Sequence, residues 1–294
     1  MILVTGATGQ LARLVIEHLL KSVPSNQIVA AVRNVEKAED LKSRGIIVRE
    51  ADYDQPEQWY SALEGVEKVL LISGPEVGGR VKQHKAVIDA IKQTGSVKLV
   101  AYTSILRADT SQVSYASEDR ETEKMIREIG VPFVFLRHGW YIENYTMNAE
   151  YAVKEGVLYG CASTGKISGA SRADYAEAAA TVLTTTAELK EIYELAGDMS
   201  FTLQDVALDM SWQSGKTVTY LDMSEDEYRT LLIDFGLPEG LASTLAIADT
   251  GVANGDVYSE SRDLSDLIGR GTTHLSAVLE EALSRMGNEG SSGR

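Results

Sequence analysis

Short β-branched runs alternate with longer amphipathic segments through the first half of the chain, and this alternation limits the possible folds more than any other feature. The runs are almost continuously apolar, which is typical of strands in a parallel sheet that is covered on both faces. They predict strands at residues 2–5, 28–32, 46–49, 69–72, 97–103 and 133–136. The segments between them predict helices at residues 11–20, 35–44, 56–63, 81–94 and 117–129. This order predicts an α/β fold built on a doubly wound parallel sheet.

The pattern becomes less regular after residue 139. Thr202 and Ser224 each stand three residues before an acidic residue, which predicts two capped helix starts. Short strands are predicted at 192–195 and 218–221. We therefore expect a sheet domain over residues 1–138 and a smaller α+β lobe over 139–286, some of whose strands return to the main sheet. The Gly/Ser-rich segment 287–294 is expected to be a disordered tail.

Charge and cysteine content exclude several classes of function. The chain has 28 Lys and Arg against 43 Asp and Glu, a formal net charge of −15, which argues against nucleic-acid or anionic-membrane binding. No apolar run approaches the ~18–20 residues that cross a bilayer. The single cysteine, Cys161, cannot form an internal disulfide, so a reducing, cytoplasmic location is expected. The four histidines lack the spacing of metal ligands, and no metal site is predicted.

A glycine-containing loop directly follows the first predicted strand and opens the first helix. Its sequence is Gly-Ala-Thr-Gly-Gln-Leu at residues 6–11. Gly6 would permit the tight turn, Gly9 would let the backbone approach a pyrophosphate, and Ala12 would pack helix against strand. The pyrophosphate would lie at the positive end of the helix dipole. The loop therefore predicts a Rossmann-type dinucleotide site.

The end of the second strand indicates which dinucleotide binds. Chains that bind NAD place an Asp or Glu there, which binds the ribose 2′-hydroxyl. This chain has Arg33 and Asn34 instead, with Lys37 one turn later. A guanidinium can pair with a 2′-phosphate, so the sequence favours NADPH over NADH. The alternative is that Arg33 is an ordinary solvated surface residue.

Several segments resemble a known family. Residues 6–11, 32–37 and 51–53 resemble the NmrA-like branch of the atypical short-chain dehydrogenase/reductases. Segments 70–74, 101–104, 121–125 and 136–144 are similar to the bacterial NADPH-dependent quinone oxidoreductases of that branch, and more distantly to triphenylmethane-dye reductases. The resemblance extends over residues 1–283, nearly the whole chain. Three residues depart from the pattern: Asp119 replaces a usual histidine, His138 replaces a usual asparagine, and Ala12 replaces the third glycine.

The resemblance implies which residues bind the cofactor and the acceptor. The implied cofactor contacts are Gly6, Ala7, Thr8, Gly9, Gln10, Leu11, Arg33, Asp52, Ser73, Gly74, Pro75, Tyr102, Thr103, Arg137, His138, Gly139, Trp140, Tyr141 and Ile142. The implied acceptor contacts are Ser104, Trp140 and Tyr141. Most of these residues follow predicted strands, at the edge of the sheet where α/β proteins bind ligands.

The general acid of ordinary short-chain reductases is missing. Those enzymes carry Tyr-x-x-x-Lys, but here Arg120 stands four residues before Lys124, and Tyr115 lies nine residues before it. A simple ketone gains much from general-acid catalysis, whereas a quinone or a cationic dye accepts hydride readily. Lys124 is predicted to be catalytic, by binding ribose hydroxyls or stabilising oxyanion charge. A solvated helix lysine is the alternative.

We therefore predict an enzyme that transfers hydride from NADPH to a small aromatic acceptor such as a quinone. Two alternatives stay open. One is an NADP(H)-binding redox sensor without turnover, and the other is a reductase of activated carbonyls, imines or dyes. The sequence does not indicate an oligomeric state.

Overall fold

The computed structural model describes residues 1–111, 113 and 116–289, and the side chains up to residue 284. Tyr115 and the last five residues of the predicted tail lie outside the described residues. Residues 287–289 belong to the final helix, whereas the sequence predicts a disordered tail from residue 287. Among the described residues, no helix is long and apolar enough to cross a membrane.

Seven parallel strands form the main sheet, in the order β3-β2-β1-β4-β5-β6-β8. Their bounds are β1 Ile2–Val4, β2 Ile28–Val32, β3 Ile47–Glu50, β4 Lys68–Leu71, β5 Leu99–Ile105, β6 Phe133–His138 and β8 Ile192–Leu195. A two-stranded parallel sheet pairs β7 (Val157–Gly160) with β9 (Thr219–Asp222). The strand order reverses between β1 and β4, which confirms the predicted doubly wound sheet.

The helices alternate with these strands along the chain. Their bounds are α1 Gln10–Leu19, α2 Glu39–Ser43, α3 Gln58–Ala62, α4 Arg80–Thr94, α5 Ala116–Glu128, α6 Glu143–Thr146, α7 Ala149–Glu155, α8 Arg172–Thr184, α9 Leu203–Ser214, α10 Glu225–Asp234, α11 Glu239–Ala253, α12 Asp263–Ile268 and α13 Leu275–Glu289. Short 3₁₀ turns occur at Ser25–Gln27 and Val35–Ala38. The single helix predicted over 35–44 is therefore divided into a 3₁₀ turn and α2.

Both faces of the central strands of the main sheet are buried. Leu3, Val69 and Tyr102 pack in one core with residues of α3, α4 and α5. Their strand neighbours Val4 and Leu70 are also buried, although side chains alternate between the two faces. Burial on both faces explains why the strands are apolar throughout rather than alternating.

The chain forms two compact units. The sheet unit comprises Met1–His138, Ala173–Leu195 and Asp266–Gly269. The second unit comprises Gly139–Arg172, Ala196–Ser265 and Arg270–Arg294, and it contains β7, β9 and a core of its own. The strand β8 follows the first part of the second unit in sequence, but it pairs with β6 in the main sheet.

Capping signals account for which helices of the second half were predicted. Thr202 and Ser224 both form complete capping boxes, with Asp205 and Glu227, as expected. By contrast, α7 and α11 begin after Asn148 and Pro238 without a side-chain cap, and the sequence analysis missed both. A helix without a polar cap has no local start signal, so its existence depends on the packing of its apolar face.

Candidate functional site

The loop between β1 and α1 is a tight turn that depends on two glycines. Gly6 has a φ of +57°, which glycine adopts without steric cost. The Gly9 amide donates to the Gly6 carbonyl at 2.8 Å, and the Ala7 amide donates to the Ala31 carbonyl at 3.1 Å. A Cβ atom at Gly9 would lie only 3.1 Å from the Gly6 carbonyl oxygen. The loop therefore lies close against β2, with a left-handed backbone at Gly6 and little room for a side chain at Gly9.

Helix α1 begins at this loop without a capping side chain. Its N-cap residue is Gly9, so no capping side chain accepts a hydrogen bond from the amides of the first turn. The first turn also contains no acidic residue. The amides of the first turn and the helix dipole therefore favour an anion at this end. The Leu11 side chain is buried, so Leu11 can contribute only its backbone amide. The arrangement suits a pyrophosphate, beside the point where the strand order reverses.

Two exposed cations follow β2. Within the part of the chain that the structure describes, the Arg33 side chain has no hydrogen-bond or ion-pair partner. The Asn34 side chain accepts a hydrogen bond from the Glu36 amide at 2.9 Å and so caps the 3₁₀ turn that carries Lys37. Arg33, directly before the cap, and Lys37, within the capped turn, are therefore both exposed to solvent. This charge suits a phosphate monoester better than a ribose hydroxyl.

The segment that follows β3 contacts the ends of two other strands beside the glycine-containing loop. The Tyr53 hydroxyl lies 2.8 Å from Thr5 Oγ1 and 2.9 Å from the Ile72 carbonyl oxygen, so it links the ends of β1 and β4. Asp52 is half-buried, and its carboxylate accepts the Asp54 amide at 3.1 Å. Asp52 therefore lies at the carboxyl end of β3 as predicted. The bracing role of Tyr53 was not anticipated, because nothing local in the sequence marks it.

The residues after β4 are held by β5 and α4. The Ser73 amide donates to Thr103 Oγ1 at 2.9 Å, and the Gly74 amide donates to His84 Nε2 at 3.1 Å. A Cβ atom at Gly74 would lie 3.1 Å from Gln83 Oε1, so a glycine is preferred there. Ser73 is half-buried and Pro75 is exposed. Ser73, Gly74, Pro75 and Thr103 thus come together at the sheet edge.

His84 is a structural residue of this edge rather than an acid–base group. Burial lowers its pKa to about 3, so the imidazole is neutral. Since Nε2 accepts the Gly74 amide, the proton is on Nδ1 and is donated to Thr122 Oγ1 at 2.9 Å. Thr122 in turn donates to the Glu118 carbonyl at 2.9 Å. The chain of hydrogen bonds fixes Gly74 to α5.

Tyr102 does not face a ligand. Its ring is fully buried, and its hydroxyl donates to Asp119 Oδ1 at 2.5 Å. Burial raises the pKa of Asp119 to about 6, against the lowering effects of this hydrogen bond and of Arg80. The prediction that Tyr102 contacts the cofactor is not supported by this geometry. Successive strand residues point to opposite faces, and Tyr102 points into the core that contains α5.

Ser104 and Arg137 belong to a buried ionic network. The strand register places Ser104, Arg137 and Glu194 side by side on β5, β6 and β8. Ser104 donates to Glu123 at 2.7 Å. All five guanidinium N–H donors of Arg137 are used: two by Glu123, two by Asp109 and one by Glu194. All donors of the Arg137 side chain are therefore taken by protein groups, which does not support the predicted cofactor contact through this side chain.

Burial and hydrogen bonding oppose one another at Arg137. Burial alone would lower the pKa of Arg137, but its hydrogen bonds to Glu123, Asp109 and Glu194 raise it further above the ordinary value. Glu123 is itself 1% exposed. The buried charges of Arg137 and Glu123 are tolerated because each charged group is hydrogen-bonded to groups of opposite charge.

His138 ends β6 with its side chain buried. Its ring stacks on Tyr175, with centroids 4.4 Å apart, and burial lowers its pKa to about 3. The imidazole is therefore neutral and packs against α8. This packing does not support the predicted cofactor contact through the His138 side chain.

Lys124 lies on the solvent side of α5. The buried face of this helix contains Asp119, Thr122 and Glu123, whereas Arg120, Lys124 and Arg127 form an exposed stripe. The Lys124 side chain is 62% exposed and pairs with Glu121 at 3.4 Å. The prediction of a catalytic Lys124 is not supported by this geometry, because the helix turns that residue away from the sheet.

The predicted contacts after residue 138 belong to the second unit. The Trp140 carbonyl and the Ile142 amide pair with Ala170, so residues 140–142 form a short bridge with that segment. The Arg172 guanidinium lies 4.7 Å from the centre of the Tyr141 ring, a cation–π contact. Ile142 is buried, while Gly139, Trp140 and Tyr141 are partly exposed.

The sheet unit thus brings together part of the predicted set. The phosphate loop, Arg33, Asp52, residues 73–75 and Thr103 lie at the carboxyl ends of β1 to β5, while the side chains of Tyr102, Ser104, Arg137 and His138 are directed to internal partners. The roles of Tyr53, His84 and Glu123 were not predicted. A glutamate between a threonine and a lysine of a polar helix segment gives no local signal of its burial.

Comparison with protein families identifies one match. The model of the NmrA-like family matches residues 1–279. Quinone oxidoreductase 2 of Escherichia coli is 51% identical over 275 residues, which cover 94% of this chain and 96% of that protein.

Two solved structures are similar over nearly their whole length. The NADPH complex of the E. coli NADPH-dependent quinone oxidoreductase has a TM-score of 0.93 and 49% identity, covering 96% of this chain and 100% of that one. The triphenylmethane reductase of Citrobacter sp., solved with NADP(H), has a TM-score of 0.92 and 37% identity, with the same coverage.

Proposed function

The chain belongs to the NmrA-like family, and we propose that it is an NADPH-dependent oxidoreductase that reduces quinone-type acceptors by hydride transfer. One structural observation carries the cofactor half of this proposal: the uncapped start of α1 and Arg33, which has no partner among the described residues, stand at neighbouring strand ends. The acceptor half is supported by the identity of 51% with quinone oxidoreductase 2 of E. coli.

NADPH matches the residues at this edge. The loop from Gly6 to Leu11 would bind the pyrophosphate through the uncapped first turn of α1. Arg33 would bind the 2′-phosphate, because its guanidinium has no partner among the described residues. Asp52 would lie on the adenine side and residues 73–75 beside a ribose, with Thr103 toward the nicotinamide. The cofactor supplies the hydride when bound.

The chain's own contribution to the reaction is orientation rather than proton donation. Quinone reduction to hydroquinone takes up one hydride and one proton, and water at the site can supply the proton. The Ser104 hydroxyl donates to Glu123 and the Tyr102 hydroxyl donates to Asp119, so neither proton is directed to an acceptor. An acceptor that gains aromaticity on reduction does not require a strong acid, whereas a simple ketone does.

Trp140 and Tyr141 are proposed contacts for a flat acceptor. Both are partly exposed aromatic side chains, and aromatic faces stack on planar rings. Arg172 above the Tyr141 ring holds that ring in a defined orientation. The buried Cys161 forms no disulfide, which supports a cytoplasmic location for the enzyme.

Stopped-flow measurement of NADPH oxidation with a panel of quinones, triphenylmethane dyes and simple ketones tests this function. We expect turnover with quinones, slower turnover with dyes and none with ketones. Tight NADPH binding without turnover of any acceptor would instead indicate a redox sensor. Turnover of ketones at the quinone rate would require an acid that the structure does not show.

A further inference from the structure

Arg13 connects three segments around the candidate cofactor site. Its Nε donates to the Thr8 carbonyl at 3.3 Å, in the phosphate loop. Its Nη2 donates to the Lys37 carbonyl at 3.2 Å and to Asp40 Oδ1 at 3.2 Å, and Nη1 forms an ion pair with the same carboxylate. One guanidinium therefore ties the loop to the turn after β2 and to the start of α2.

The segment held in this way carries the two exposed cations. Lys37, whose carbonyl accepts from Arg13, lies in the 3₁₀ turn capped by Asn34, and Arg33 directly precedes that cap. The loop and this segment belong to different strands, and Arg13 is a side chain that contacts both. The distance between the loop and Arg33 determines whether one dinucleotide can bind the loop with its pyrophosphate and Arg33 with its 2′-phosphate at the same time.

Arg13 and Arg33 differ in their charge environment. The hydrogen bond from Arg13 holds the pKa of Asp40 below its usual value, so the carboxylate stays ionised and offsets the Arg13 charge. Arg33 has no such partner among the described residues. Four N–H donors of Arg13 are already engaged with protein atoms, which suits a bracing role and not a direct phosphate contact.

We infer that Arg13 is a positioning residue for cofactor selection, which favours NADPH over NADH by holding the Arg33–Lys37 segment at a fixed distance from the phosphate loop. The inference rests on the proposed function, since it requires NADPH as the ligand. NADH lacks the 2′-phosphate, so its affinity does not depend on where that segment lies.

The chain offers a matched control for this pair. Arg44 and Glu17 form a second exposed ion pair between α2 and α1, with an Nη2 to Oε2 distance of 2.9 Å. It joins the same two helices and removes the same charge on substitution, but it donates to no carbonyl of the loop or of the turn after β2. Arg44→Met therefore measures the effect of losing an ion pair between α1 and α2 without losing a contact to the loop or to the turn after β2.

Calorimetry tests the inference by measuring the dissociation constants of NADPH, NADH and 2′,5′-ADP. The proteins compared are the wild type and the variants Arg13→Met, Arg13→Lys, Asp40→Asn and Arg44→Met. Loss of charge-assisted hydrogen bonds predicts that Arg13→Met weakens NADPH and 2′,5′-ADP about tenfold, and NADH less than about twofold. Arg13→Lys should behave similarly, because one ammonium cannot bridge two carbonyls and a carboxylate. Arg44→Met should match the wild type.

Asp40→Asn distinguishes positioning from direct phosphate binding. Positioning predicts weaker NADPH binding in this variant, since the pair that holds Arg13 is lost. A direct phosphate contact predicts tighter binding, since Arg13 is released from its carboxylate, and that result would overturn the inference. Equal losses for NADPH and NADH in Arg13→Met, or the same loss in Arg44→Met, would also overturn it.

The wild type and Arg33→Ala separate this inference from the proposed function. If the wild type does not prefer NADPH, or if Arg33→Ala weakens both cofactors equally, the assignment of the 2′-phosphate site fails regardless of Arg13. If both behave as proposed while Arg13→Met is normal, only the positioning role fails. Thermal unfolding of each variant confirms that the protein tested is folded.

Discussion

The polar residues at the two halves of one sheet edge differ in whether protein groups already bind them. At the ends of β1 and β2, the first turn of α1 is uncapped and Arg33 has no partner among the described residues. At the ends of β5 and β6, Ser104, Glu123 and Arg137 are fully hydrogen-bonded to one another and to Asp109 and Glu194. The first half leaves donors for a ligand, whereas the second uses its donors to hold the protein together. Polar residues at a strand end are therefore not sufficient to identify a binding site.

The largest expected effect concerns the internally paired half. Glu123→Ala removes the carboxylate that takes two Arg137 donors and leaves a buried guanidinium partly unpaired. We expect the free energy of unfolding to fall by about 3–5 kcal/mol, as for other broken buried ion pairs. Urea denaturation measures this loss. Glu121→Ala, which removes an exposed partner of Lys124 on the same helix, is the control and should cost at most about 1 kcal/mol.

A second effect concerns the pH dependence of the same half. Asp119 has a pKa of about 6 in the folded protein and an ordinary value of 3.8, so between these values the folded state binds more protons than the unfolded state. The contribution of Asp119 to the free energy of unfolding should therefore fall as pH rises from about 4 to 6, by up to about 3 kcal/mol. The buried, neutral His84 and His138 contribute with the opposite sign over this range, so the effect is read from the difference between the wild type and Asp119→Asn. Asp119→Asn should lack this component. Urea denaturation at several pH values measures the free energy of unfolding of the wild type and of Asp119→Asn, with Asp89→Asn, at an exposed position, as the control. If the pH profiles of the wild type and Asp119→Asn are parallel, Asp119 does not titrate as a buried group in this range.

The ligand-binding half should respond in affinity rather than in stability. Gly9→Val places a branched side chain where even a Cβ atom lies 3.1 Å from the Gly6 carbonyl, so the loop must move. We expect at least a hundredfold loss of affinity for both NADPH and NADH, about 2.7 kcal/mol. Fluorescence titration measures both. Gly240→Val, at a glycine with open space around it, is the control, and normal affinity in folded Gly9→Val would mean that the loop binds no pyrophosphate.

The smallest expected effect is at Lys124. The sequence analysis favours a catalytic role there, but the exposed side chain predicts that Lys124→Ala leaves kcat and KM unchanged, within about 0.5 kcal/mol for a surface substitution. Steady-state kinetics at saturating NADPH decide between the two. A drop of tenfold or more in kcat would show that Lys124 reaches the reacting groups.

Local patterns predicted much of the sheet unit correctly. The strands at Ile28–Val32 and Ile192–Leu195 have the predicted bounds, and the other five strands of the main sheet differ from prediction by at most two residues at either end. These segments are strongly apolar over the whole length of a strand, and such runs depend little on distant context. The capped helices α9 and α10 were predicted for a similar reason, because a capping box is formed by residues three positions apart.

The phosphate loop and the Arg33 segment are determined by the sequence itself. Gly6 and Gly9 are required by backbone conformation and close contact, and both effects act within a few residues. The exposed position of Arg33 directly after a buried strand also follows from the local pattern. Only the tertiary structure decided the roles of Tyr102, Lys124 and Arg137. The partners of Arg137 come from residues 109, 123 and 194, and they meet only through the register of three strands and the orientation of α5 about its axis. A buried polar group is satisfied by whatever the fold brings within hydrogen-bond distance, and the sequence around that group does not contain this information.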